Sequence, residues 1–124
     1  MTRFCLVRHG QTDWNLEGRY QGQSDIPLNS TGIKQARLIA RVLRDEQFDA
    51  VYSSDLLRAL RTAEIITEYH DSLKINTDPR LREVNQGEWE GLTRDAIRDR
   101  YPKIWEALLK KPVSVRPPGG ETVV

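Results

Sequence analysis

The stretch Phe4-Cys5-Leu6-Val7-Arg8-His9-Gly10 decides the fold class of this chain. A short apolar run bounded by glycine reads as a buried strand. The run ends in a cation and an imidazole, and open α/β sheets place their ligand crevice at the carboxyl ends of their strands. Arg8 and His9 therefore fall where a small ligand binds, and the pair points to chemistry on an anion. A histidine after a strand more often serves as a structural hydrogen-bonding residue, so the residues downstream decide between the two roles.

The rest of the chain alternates as a parallel sheet requires. A polar, glycine-bearing loop runs from Gln11 to Asn29. From Ser30 to Glu46, the residues Ile33, Ala36, Ile39, Ala40 and Leu43 fall on one face of a helix, with Asn29 placed to cap it. Phe48 to Ser53 reads as a second short strand, since β-formers follow a helix and end in the cap signal Ser53-Ser54-Asp55. The next helix is expected to start at Ser54 or Asp55 and run to about His70, with Leu56, Leu60, Ala63 and Ile66 at helical spacing. A third strand is expected within Leu73 to Thr77, and Arg80 to Gly91 reads as a functional loop. Thr93 to Lys111 is helical in pattern, broken near Tyr101-Pro102 because proline cannot continue a helix interior. Strand, helix, strand, helix is the signature of an α/β fold whose helices cover a mostly parallel sheet. Glu121-Thr122 looks like the opening of a further helix, with only Val123 and Val124 behind it. The expectation is a single domain over residues 1–124 whose fold continues in a longer protein.

Composition narrows the function classes. Among 124 residues, 19 Lys and Arg face 18 Asp and Glu, a formal charge of +1 that gives no general attraction to nucleic acid or to an anionic membrane. Anion binding must then come from a few placed side chains. The one cysteine, Cys5, lies inside the expected first strand and reads as a small core hydrophobe, so no disulfide framework forms within the chain and a reducing cytoplasm is expected. The apolar run near Met1 is too short for a signal sequence or a membrane span.

Arg58 falls in the first turn of the second helix. Parallel first and second strands would bring Arg8 and Arg58 to one sheet edge, although they are far apart in sequence. Two guanidiniums grip a phosphate through paired, charge-assisted hydrogen bonds, and a helix N-terminus adds backbone donors and a favourable dipole. Adjacent cations also disfavour the imidazolium form of His9, which keeps its lone pair free to attack phosphorus. By itself Arg58 reads equally as a solvated helix residue, and Arg61, one turn on, reads as surface charge.

Four blocks together resemble a family. Leu6-Val7-Arg8-His9-Gly10-Gln11-Thr12-Asp13-Trp14-Asn15 is the first, and Tyr52-Ser53-Ser54-Asp55-Leu56-Leu57-Arg58-Ala59 with Thr62-Ala63-Glu64 is the second. Leu81-Arg82-Glu83 with Gly87-Glu88-Trp89-Glu90-Gly91, and Pro118-Gly119-Gly120-Glu121-Thr122, complete the set. In order and spacing they resemble the histidine phosphatase superfamily, also called the phosphoglycerate mutase-like family. The resemblance implies a three-layer α/β/α fold of the phosphoglycerate mutase type, incomplete here at the C-terminal side. It implies that His9 is the nucleophile that becomes phosphohistidine, that Arg8 and Arg58 clamp the phosphate, and that Asn15 is a further phosphate contact. Glu83 resembles the general acid that protonates the leaving alkoxide and then activates water. Gln21 and Gly22 correspond to a substrate-facing loop.

One departure matters. The family's site holds a second histidine, on a later strand that ends in a His-Gly step, whereas the only other histidine here, His70, matches no family motif and reads as a surface residue. Three accounts fit: a fragment of a longer enzyme, a short form that completes its sheet through another copy by strand exchange or as a homodimer, or a non-catalytic relative that binds phosphorylated ligands. The resemblance implies a metal-independent phosphomonoester hydrolase, with no cofactor, acting on a small phosphorylated metabolite, and weak or inactive as this chain alone. Phosphoryl transfer of the mutase type and a phosphate-binding domain without turnover are the alternatives.

Overall fold

The structure, a computed structural model, describes residues 1–123. The sheet among the described residues has two parallel strands, β1 (Val51–Ser53) and β2 (Ile75–Thr77), in the register Val51 opposite Ile75 and Ser53 opposite Thr77. Parallel strands need a crossover, and the helix between them supplies it. Numbering in chain order, the helices are α1 (Asp13–Glu17), α2 (Ser30–Leu43), α3 (Leu57–Thr67), α4 (Arg94–Arg100) and α5 (Pro102–Lys110). No helix among the described residues is long and apolar enough to cross a membrane.

The first core forms where α2 packs on α3. Ala36 and Ala40 of α2 meet Ile65 and Ile66 of α3, with Ile33 and Leu43 at the rim. Small residues on one helix and branched ones on the other let the two axes approach closely. Asn29 caps α2 as expected, its side chain accepting from the Gly32 N–H at 2.8 Å. The helix ends at Leu43, short of Glu46. On α3 the buried face comprises Arg58, Thr62, Ile65 and Ile66, so the expected stripe through Leu60 and Ala63 is rotated toward the polar pair.

A second core gathers Trp89, Ile97, Trp105 and Val115, with Tyr20, Leu92 and Tyr101 packed against them. The long helical segment breaks between Arg100 and Pro102, where Pro102 opens α5 as its first residue. The third strand is found at its expected place, shortened to Ile75–Thr77.

The structure corrects several expectations. Phe4 to Val7 belongs to no described strand, and Phe4 and Leu6 are 85% and 93% exposed. The apolar pattern suits a buried strand, but a strand also needs a neighbour to pair with, and none of the described strands runs beside it. Cys5, expected in the core, is exposed for the same reason. His70, expected at the surface, is half-buried, with its ring edge-on to Phe48 at 5.2 Å. The loop from Gln11 to Asn29 contains α1, set by a capping box between Thr12 and Asn15 and ended by Gly18 in the left-handed conformation. The helix α3 starts at Leu57, not at Ser54 or Asp55. Its Leu57 N–H donates to the Asp25 carboxylate at 2.7 Å, while Asp55 pairs with Arg82 through two hydrogen bonds of 2.6 and 2.5 Å. No helix forms over residues 121–123, and Val124 lies outside the described residues.

Candidate active site

The site is organised by one close approach of backbone to backbone. Gly10 is buried against the start of α2, where a Cβ would strike the Gly32 carbonyl, and a Cβ on Gly32 would strike the Gln11 carbonyl. Only glycine at both positions lets the segment after His9 lie on the helix. The Gly10 N–H then donates to Thr62 Oγ1 at 3.1 Å, and Thr62 donates in turn to the Arg58 carbonyl at 2.7 Å. His9 is thus brought to α3 by a bond to the turn that follows Arg58, and no strand ladder is required.

His9 Nδ1 donates to the Gly10 carbonyl at 2.6 Å. A carbonyl only accepts, so this bond places the proton of the neutral ring on Nδ1 and leaves the Nε2 lone pair available. Burial is the main cause holding the imidazole below its ordinary value of 6.5, and the cations of Arg58 and Arg8 act in the same direction. The Gly10 carbonyl and the Glu83 carboxylate oppose them without reversing the shift. The ring is therefore neutral at physiological pH, and both arginines and Glu83 are near enough to act on it.

Arg58 is 1% exposed, far from the solvated helix residue that a charged side chain usually makes. Its Nη1 donates to the Ser24 carbonyl at 2.7 Å. Its Nη2 donates to the Gly22 carbonyl at 2.6 Å and to Glu83 Oε2 at 3.1 Å. A buried cation is tolerable only when paired and hydrogen-bonded, and these three acceptors meet that need. They use three of the five N–H donors of a guanidinium and leave two without a partner among the described residues. Glu83 is half exposed, so the pair spans from the interior to the surface.

Arg8 is exposed and lines a cavity of about 130 Å³ with His9, Gly10, Thr62 and residues of α2. Neither Arg58 nor Glu83 forms part of its walls. Asn15 sits in α1 with its side-chain oxygen committed to Thr12, which leaves its amide NH2 as the group it can offer a ligand. Gln21 is buried, its side chain accepting from Thr12 Oγ1 at 2.5 Å, while Gly22 turns its carbonyl to Arg58. Arg61 is exposed and pairs with Glu64, as expected of surface charge.

Arg58, Glu83 and Gly22 are thus joined directly, and His9 and Arg8 join them through α3 and through charge. Nothing in the sequence marks the Ser24 carbonyl or Asp25 as part of this arrangement. A backbone acceptor carries no side-chain signature, and a helix cap supplied from a distant loop has no fixed spacing to the helix it caps.

Comparison with known proteins identifies the family of the chain. The histidine phosphatase superfamily (branch 1) matches residues 4–124. The uncharacterized phosphatase PhoE of Bacillus subtilis is 46% identical over 102 residues, covering 82% of this chain and 52% of that protein. The probable phosphoglycerate mutase GpmB of Yersinia pestis is 40% identical over 123 residues, covering 99% of this chain and 57% of that protein. The structure of a mycobacterial glucosyl-3-phosphoglycerate phosphatase in complex with VO3 superposes with a TM-score of 0.82 at 40% identity, covering 92% of this chain and 54% of that one. The chain therefore spans little more than half the length of the relatives it matches. Matched over residues 4–124, the chain belongs to the histidine phosphatase superfamily.

Proposed function

We propose that this chain carries the nucleophile, phosphate clamp and proton donor of a phosphomonoester hydrolase that works through a phosphohistidine. The observation that carries this reading is the meeting of Arg58 with Glu83 beside a neutral His9. Arg8 and Arg58 bind the phosphoryl oxygens, and His9 Nε2 attacks phosphorus. The P–O bond to the substrate breaks, and Glu83 in its acid form gives its proton to the leaving oxygen. Water then attacks the phosphohistidine, Glu83 takes the proton, and inorganic phosphate leaves. No metal enters either step.

The family resemblance places a second histidine opposite the nucleophile, and this chain has no match for it. Removing one donor from a developing charge commonly costs about 2.7 to 4 kcal/mol, so the chain by itself is a weak catalyst. A small phosphorylated metabolite is the substrate class, and the cytoplasm is the compartment. The match to GpmB supports a second reading, in which a substrate hydroxyl replaces water as the acceptor.

The test is hydrolysis of p-nitrophenyl phosphate in EDTA, with a thermal-shift measurement in vanadate alongside. Slow hydrolysis that His9→Ala abolishes, with stabilisation by vanadate, is expected. Activity that survives His9→Ala, or that EDTA removes, contradicts the proposal; stabilisation without any turnover favours a binding domain.

A further inference from the structure

The loop that presents the Gly22 and Ser24 carbonyls to Arg58 is itself held by a side chain that the proposed reaction does not use. Glu90 Oε1 accepts the Gln23 N–H at 2.8 Å and the Gln86 N–H at 3.2 Å. Its Oε2 accepts the Ser24 hydroxyl at 2.5 Å. Gly22, at φ 51°, passes so close that a Cβ there would strike Glu90 Oε1 and the Gln86 backbone. One carboxylate thus lies against three successive loop residues, two of which turn their carbonyls the other way, onto the guanidinium.

Glu90 has a rigid footing. It follows the 3-10 turn Gly87–Trp89, its N–H donating to the Gly87 carbonyl at 3.1 Å, and Trp89 is buried in the second core. The ends of the loop are fastened separately, by the Tyr20 backbone to Gly91 and Leu92 and by Asp25 to Leu57. Glu90 holds its middle, where both Arg58 carbonyl acceptors sit. All three of its partners are donors, which suits a group that only accepts.

We propose that Glu90 is a positioning residue for the phosphoryl site, fixing the plane of the Arg58 guanidinium through the Gly22 and Ser24 carbonyls so that an N–H donor left free of them faces the phosphoryl group. The phosphoryl part of this inference rests on the function proposed above; the orientation of Arg58 does not. Glutamine keeps one oxygen for the two backbone N–H groups and offers its NH2 to Ser24 Oγ, so Glu90→Gln should preserve the arrangement. Alanine removes it.

The experiment follows the Arg58 guanidinium resonances of the isotopically labelled 124-residue chain, first without ligand and then during titration with inorganic phosphate. Wild type and Glu90→Gln should show distinct, slowly exchanging Arg58 Nη protons. In Glu90→Ala these should merge into an averaged signal while the amides of α2 and α3 stay in place, and phosphate should bind about tenfold more weakly. Ser24→Ala, which removes one contact only, should fall between and keeps the test available if Glu90→Ala unfolds. Arg58 signals unchanged in both Glu90→Ala and Ser24→Ala, or a loss in Glu90→Gln as deep as in Glu90→Ala, overturns the proposal. An ordered Arg58 that responds to Glu90 in a chain that binds no phosphate would refute the proposed function and uphold the positioning.

Discussion

Arg58 Nη2 lies 3.1 Å from Glu83 Oε2, a contact between a buried cation on α3 and a half-exposed carboxylate on the loop after β2. The guanidinium is already turned by two backbone carbonyls on its other side, so Glu83 meets a group whose direction is set in advance. Preorganisation of this kind sets the carboxylate proposed as proton donor beside the arginine proposed as phosphate clamp before any substrate arrives.

Lysine cannot replace arginine at position 58. A single ammonium does not span the fork formed by the Gly22 and Ser24 carbonyls and Glu83, and a buried acceptor left unpaired costs about 1–3 kcal/mol. Arg58→Lys is expected to lower the unfolding free energy by an amount in that range and to abolish stabilisation by vanadate. Denaturant unfolding with and without vanadate measures both.

The half-buried, neutral His9 makes stability depend on pH. Its folded value lies below 6.5 because burial, aided by Arg58 and Arg8, disfavours the charged ring. Between the folded value and 6.5 the unfolded chain binds a proton at residue 9 that the folded chain does not, so stability falls as pH drops through that window. Unfolding free energies measured on either side of it should decline more for wild type than for His9→Gln. Equal decline would contradict the neutral, half-buried ring.

Asp25 caps α3 from the loop that faces Arg58. Loss of a capping side chain typically costs about 0.5–2 kcal/mol, and Asp25→Ala should destabilise the chain by such an amount. Asp25→Asn, which retains an acceptor oxygen, should lose much less. A thermal melt of the two variants separates capping from charge.

Exposure at the N-terminal end and burial between α2 and α3 predict opposite sensitivities. Leu6→Ser should change stability by less than about 0.5 kcal/mol, as surface substitutions do. Ile65→Ala, in the first core, should cost about 2–5 kcal/mol. A large loss from Leu6→Ser in denaturant unfolding would show that residues 4–7 are buried after all.

The longer helices are legible in the sequence because their periodicity and punctuation are local, whereas the five-residue α1 is too short to show a period. Asn29 announces α2, and Tyr101-Pro102 marks the break before α5. Strand status is not local. Phe4 to Val7 has the pattern of a buried strand, but pairing is decided by the neighbouring backbone, and periodicity is silent on that. At the site, Arg58 and Glu83 are readable from motif blocks, and the structure joins them. The roles of the Gly22 and Ser24 carbonyls, Asp25 and Glu90 arise from where two loops meet, which no motif block states. Ser54-Asp55 misleads for a related reason. The cap signal is real in type, but Asp55 is taken by Arg82, and α3 starts later with a cap from elsewhere.

A neutral His9 that accepts a phosphoryl group between Arg8, Arg58 and Glu83 is what the proposed chemistry stands on. The most direct measurement is to quench the chain during incubation with a phosphomonoester and locate the covalent phosphate by mass spectrometry under alkaline and acidic conditions. An alkali-stable, acid-labile phosphate on residue 9, absent from Arg58→Ala, is the predicted result. An acid-stable phosphate on any serine or threonine, or labelling that persists in His9→Ala, would contradict it.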